Sequence, residues 1–184
     1  MSEIKISDII YKWRVRIGLI SAILSIILAK PTFYSLIGGA VLTVLGLAIR
    51  IWACGNLEKE KELTTSGPYR FTRNPLYFGS MILGISTVVA CQSWGVLAIF
   101  LANFLIIYPV VVRAEKEKMS KLFPEKYQEY SKRVPLFFPT LRPKLPRDPD
   151  HRFSWERYKQ NKENRALIGS VIIYLCLILK TILF

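Results

Sequence analysis

The sequence predicts an all-α, polytopic membrane protein. Three observations point there. Hydrophobic residues make up 52% of the 184 positions, although Lys+Arg number 26 against 13 Asp+Glu. The apolar and basic residues are segregated into alternating blocks. The basic blocks fall consistently on one side once the apolar blocks are threaded through a bilayer. In a soluble chain a formal net charge of +13 would suggest nucleic acid. Here the segregation points to membrane lipids as partners and to no nucleic acid.

One integral-membrane domain over residues 1–184 is expected, with about five spans at 15–29, 32–54, 76–92, 94–112 and 166–184 and a polar segment at 113–165. The lead-in places Ile6, Ile9, Ile10 and Trp13 near one helical face, with Lys12, Arg14 and Arg16 available to headgroups. It is either an interfacial amphipathic helix or the first turns of the first span. No small-residue cleavage pattern follows, so no cleavable signal is expected. The first run is short for a bilayer, which takes about 20 residues. Trp13 and Lys30 extend it to the interfaces. The second contains Gly38, Gly39 and Gly46, small residues that let helices approach closely in lipid. Arg50, near its end, either marks a site or snorkels to the interface.

Residues 58–62 alternate in sign and read as a solvated helix end. Pro68 and Pro75 then fix two φ angles, and Asn74 is pushed out of the helical region by the following proline. Residues 67–74 are therefore a shaped loop, with Pro75 opening the next helix. Only Gln92 and Ser93 separate the third and fourth runs, which forces an antiparallel helical hairpin. Asn103 is expected to bond to a neighbouring helix, and Pro109 to kink its own.

The fourth helix should continue past Arg113 into water, and Pro124 should restart a helix. Residues 134–149 hold five prolines and should be irregular; Ser154 should cap a helix over 155–162. Arg142, Lys144, Arg147 and Arg152 are expected at anionic headgroups. With the N-terminus inside, the cytoplasmic side collects four basic residues in 55–74 and fifteen in 113–165, against Lys30 and Lys180 outside. Cys54, Cys91 and Cys176 lie far apart in apolar runs and read as structural thiols, and a lone His151 excludes a multi-histidine metal site.

The richest chemistry lies in Gly67-Pro68-Tyr69-Arg70-Phe71-Thr72-Arg73-Asn74-Pro75-Leu76-Tyr77-Phe78-Gly79. The hairpin predicts that Arg73–Tyr77 approaches Arg113 and Glu115. A ligand with a cationic centre would suit Glu115 and the aromatic rings. The rings taken singly could equally form an interfacial belt, and Tyr127 and Tyr130 read as packing residues.

This stretch, with Glu115 and then Phe123-Pro124-Glu125-x-Tyr127-x-x-Tyr130-x-x-x-Val134-Pro135, is similar to the signature of the isoprenylcysteine carboxyl methyltransferase and phospholipid methyltransferase superfamily. The resemblance covers about residues 40–140. It implies a membrane enzyme that uses S-adenosylmethionine in a pocket formed by cytoplasmic helical segments, with a lipophilic small-molecule or prenylated acceptor arriving from the bilayer. Matched by position, Tyr69, Asn74, Pro75, Leu76 and Tyr77 would line the cofactor pocket, joined by Leu63 and Thr64. Glu115 would hold the cofactor's polar end. Arg73 or Arg113 would orient the acceptor in catalysis.

Two departures stand out: Asn74 replaces a frequent histidine and cannot serve as a base near neutral pH, and Lys116 replaces the second of two paired glutamates. A carboxylate acceptor needs no base, which favours an isoprenylcysteine-like O-methylation. The alternatives are methylation of a phospholipid or other amine, and a non-catalytic lipid-binding protein.

Overall fold

The computed structural model describes residues 6–58, 62–146, 148, 151–161 and 163–183, and side chains from position 13, apart from that of 14. The amphipathic reading of Ile6, Ile9, Ile10, Lys12 and Arg14, the sign alternation across residues 59–61, and the headgroup role of Arg147 lie outside the described residues.

Among the described residues all regular structure is helical. Helix α1 runs Ile6–Leu28, α2 Phe33–Asn56, α3 Pro75–Cys91 and α4 Trp94–Leu122; α5 is Pro124–Arg133, α6 Trp155–Gln160 and α7 Asn164–Leu183. A short 3₁₀ turn occupies Gly67–Arg70. Three helices, α2, α4 and α7, are long and apolar enough to cross a membrane, and Val15–Leu28 and Pro75–Cys91 are shorter apolar helices. At 17 residues, α3 reaches the lower limit of about 17 for a span.

The boundaries follow local chemistry. Pro75 is the first residue of α3, where its missing N–H costs no helical bond. Pro124 does the same for α5, whose first turn carries Glu125 and last turn Lys132 and Arg133, matching the helix dipole. Ser154 caps α6 by accepting from the Arg157 amide. Gln92 turns between α3 and α4 at φ 45°. Pro109 does not end α4. The wider π-helical turn Asn103–Ile107 directly precedes it, closed by the Tyr108 N–H donating to Asn103, and the helix runs on through the proline.

The chain forms two compact units. The first comprises Met1–Thr43, Leu83–Glu115 and Gly169–Phe184. Its buried cluster is Ala29, Ala90, Cys91, Val96 and Leu177. Gly39 approaches so closely that a Cβ would sit 2.7 Å from Ala90 and 2.9 Å from the Ser86 carbonyl, as expected of small residues packing helices in lipid. Thr43, Ser86 and Tyr174 share hydroxyl hydrogen bonds of 2.9 and 3.2 Å beside it. Asn103 donates to Ser21 of α1 at 3.0 Å, the cross-helix bond expected of it. Phe100 of α4 packs where a Cβ on Gly84 of α3 would stand, as the hairpin requires. Lys180 donates to the carbonyls of Ile26 and Ile27 and caps the end of α1.

The second unit comprises Val44–Ile82 and Lys116–Ile168. Its buried cluster is Tyr127, Tyr130 and Val134, with Leu63, Met119, Phe123 and Leu145 packed against it. The carbonyls at the end of α2, left without helical partners, are satisfied by the segment around α6. Asn161 donates to Cys54 and Leu57, the Ser154 amide and Arg157 to Gly55, and His151 bonds the Asn56 carbonyl.

Candidate active site

The loop at 67–79 takes its shape from a second, proline-rich strand of chain. From Arg70 to Asn74, every residue is tied to the 135–145 segment. The Arg70 guanidinium donates to the Leu145 carbonyl at 2.7 and 3.0 Å. The Phe71 carbonyl accepts from the Thr140 amide at 2.9 Å. The Thr72 hydroxyl donates to Phe137 at 2.7 Å, the Arg73 amide to Pro135 at 2.9 Å and the Asn74 side chain to Leu136 at 2.8 Å. The two stretches run antiparallel. Prolines at 135, 139, 143 and 146 keep the second out of a helix and so leave its carbonyls for the loop.

The entry to the loop is equally constrained. Gly67 adopts φ 55°, the left-handed region that glycine occupies without strain. A Cβ there would meet the Asn56 amide at 2.6 Å, so bulk is excluded as well. Tyr69 is buried, and its carbonyl accepts the Tyr130 hydroxyl at 2.7 Å. Burial raises the Tyr130 pKa, opposed by the nearby Arg73 charge, with Tyr127 adding to the rise. Tyr130 therefore stays a neutral donor.

Arg73 is the pivot. Its Nη1 donates to the Tyr127 hydroxyl at 3.2 Å, and its guanidinium carbon lies 5.7 Å from the centre of that ring. Its Nε is buried and has no hydrogen-bond partner. A buried guanidinium nitrogen without an acceptor is costly unless an acceptor arrives.

Of the remaining predicted site residues, Thr64 is buried and accepts from the Glu58 amide at 3.0 Å, and Leu63 packs on the α5 tyrosines. Pro75 is fully buried. The Leu76 carbonyl accepts from Arg50 at 3.2 Å and from the Ser80 hydroxyl at 2.9 Å, and Tyr77 is half-buried. Leu63, Thr64, Tyr69, Arg73, Asn74, Pro75, Leu76 and Tyr77 thus belong to one unit. Arg113, exposed, and Glu115, half-buried, lie on α4 at the end of the first unit.

Two features escaped the sequence reading. The first is the pairing of 70–74 with 135–145; five prolines signal irregular chain, not the partner it pairs with. The second is Glu163. It is buried and forms a two-pronged ion pair with Arg50, one contact 2.9 Å long, and accepts from the Cys54 thiol at 3.3 Å. Arg50 also reaches the Ser80 hydroxyl in α3. Its guanidinium is engaged by partners within the protein, with 19% of the side chain exposed. The one available signal was a lone acid immediately before the last apolar run, with an arginine near the end of an earlier one.

The loop, closed by a tyrosine-bearing helix and a proline-rich return, belongs to a helical membrane protein. The family model for phospholipid methyltransferase matches residues 13–126, more than half the chain. The chain belongs to this family, within the superfamily that also holds the isoprenylcysteine carboxyl methyltransferases. The family is described as one of phospholipid methyltransferases. Among curated proteins it is 34% identical over 142 residues to the nickel-cobalt-cadmium resistance protein NccN of Alcaligenes xylosoxydans xylosoxydans, covering 70% of this chain and 66% of that one. It is 36% identical over 108 residues to the cobalt-zinc-cadmium resistance protein CzcN of Cupriavidus metallidurans, covering 58% and 48%. The chain thus spans just under two thirds and about half of the lengths of these relatives. No solved structure matches.

Proposed function

We propose that this chain transfers a methyl group from S-adenosylmethionine to a lipophilic acceptor, with its active site at the cytoplasmic membrane surface. The observation that carries the reading is Arg73: a half-buried side chain, held to Tyr127 through Nη1, with a buried Nε that has no acceptor in the protein. It lies inside the loop whose residues resemble the superfamily signature.

The residues present suit the cofactor. Buried Thr64, Tyr69 and Pro75 would form the wall of its pocket, together with Leu63. Half-buried Asn74, Leu76 and Tyr77 would meet it directly. The Asn74 nitrogen is committed to Leu136, so a ligand would meet the amide oxygen. By the superfamily resemblance alone, Glu115 is matched to the amino-acid end of the cofactor. The cofactor supplies a methyl group already activated by its sulfonium, and the chain's own work is alignment and exclusion of water.

Arg73 favours an acceptor that is itself anionic, and Arg113 is the second candidate for holding it. A carboxylate of the isoprenylcysteine kind fits, because it attacks without losing a proton and Asn74 supplies no base. The family's description as phospholipid methyltransferase favours a second reading, N-methylation of a phospholipid amine. The test is transfer of labelled methyl from the cofactor into a lipid extract. Base-labile product supports the carboxylate, base-stable product the amine, and cofactor binding without transfer to any lipid would overturn both.

A further inference from the structure

The proline-rich return that shapes the loop also carries an exposed tip. Leu141 is 96% exposed and Phe138 64% exposed, an unusual state for two large apolar side chains on a polar segment. Directly beyond Leu141, Arg142 and Lys144 are exposed. The tip is not loose. On one side the Thr140 amide is bonded to Phe71, and on the other the Leu145 carbonyl is held by Arg70. The Thr140 hydroxyl accepts from the Arg142 amide at 3.2 Å and closes the turn, and Pro143 restricts what remains. Four residues, 141–144, are thus presented between two clamps on the candidate site loop.

We propose that residues 138–144 form an interfacial anchor that inserts Leu141 and Phe138 into an anionic lipid surface, with Arg142 and Lys144 on its phosphates. Charge decides for anionic lipid over other occupants: two exposed cations follow the apolar pair, and the chain as a whole carries +13. An apolar side chain beside basic ones is the pattern of a segment lying at the headgroup boundary. Chain continuity supports it, since the polar segment is bounded by α4 and α7, two of the helices able to cross a membrane. The clamps pass the position of the lipid surface directly to Arg70 and Phe71. The inference rests on membrane insertion and not on methyl transfer, so either can fail without the other.

The test uses the full chain in nanodiscs of phosphatidylcholine, with or without phosphatidylglycerol. Leu141→Cys in a Cys176→Ser background takes an environment-sensitive dye, because Cys54 and Cys91 are buried. Blue-shifted emission and quenching by spin-labelled lipid are expected in the anionic discs. Quenching should fall by at least about two-fold in Arg142→Gln/Lys144→Gln, where two headgroup attractions are lost. It should also fall in Arg70→Gln, which releases one clamp. Water-like emission in both discs overturns the anchor, and quenching indifferent to phosphatidylglycerol and to the charge variants overturns anionic lipid as its occupant. Unchanged quenching in Arg70→Gln overturns the clamp. Dye shielding in detergent that tracks cross-linking between copies assigns the tip to a second chain instead.

Discussion

The Tyr130 hydroxyl donates to the main-chain oxygen of Tyr69 across 2.7 Å, joining the α5 helix to the first turn of the candidate site loop. Both residues are buried, so the carbonyl has no water to fall back on. Tyr130→Phe leaves it unpaired, at a cost of about 1–3 kcal/mol. The expected result is a lower melting temperature in detergent, with weaker S-adenosylmethionine binding because the loop loses a support.

The same residue sets a pH dependence. Burial raises the Tyr130 pKa above the ordinary tyrosine value of 10.0, so the folded state favours the neutral hydroxyl. Its contribution is fully present below that ordinary value and is lost as pH rises beyond it. Comparing Tyr130→Phe with the parent, the melting-temperature gap should be constant through neutral and mildly alkaline pH and should narrow only in strong alkali. A gap that narrows near neutrality would refute the assignment.

Arg50 and Glu163 should behave as a coupled pair. Removing Arg50 strands the buried Glu163 carboxylate and costs about 3–5 kcal/mol; removing Glu163 costs less, because half-buried Arg50 keeps its bonds to Leu76 and Ser80. Arg50→Met and Glu163→Met together should cost clearly less than the sum of the single changes, because neither charge is left alone. Thermal unfolding of the four proteins measures the coupling, and simple additivity would show that the pair contributes nothing jointly.

Gly67→Ala combines a left-handed φ of 55° with the Asn56 contact, and about 1–3 kcal/mol of strain is expected. Asn56→Ala relieves the contact but not the backbone angle. The double variant should therefore recover stability only in part. Full recovery would mean that the clash, and not the dihedral, selects glycine.

Glu115→Ala is expected to abolish S-adenosylmethionine binding in calorimetry, while Arg73→Ala should spare much of that binding and suppress transfer to the acceptor. Unchanged cofactor affinity in Glu115→Ala would remove that carboxylate from the site.

Composition and order were enough to settle a good deal about this protein. Segregated apolar and basic blocks are a property of the chain itself, and so the helical membrane class, the two-residue turn at Gln92-Ser93 and the helix starts at Pro75 and Pro124 could all be read directly. The loop at 67–79 was legible for the same reason, since prolines and glycine dictate local backbone angles wherever they occur. Contacts between distant segments are another matter. Whether Arg50 snorkels or pairs depends on where Glu163, 113 residues further on, comes to rest. Likewise, a carbonyl at Leu136 carries no mark of its partner Asn74. A hydrogen bond is made by position, not by residue type, and every backbone carbonyl is alike in the sequence. Only the folded chain decided that the proline-rich return builds the loop, that Tyr130 steadies it, and that the Arg73 Nε is buried without a protein acceptor.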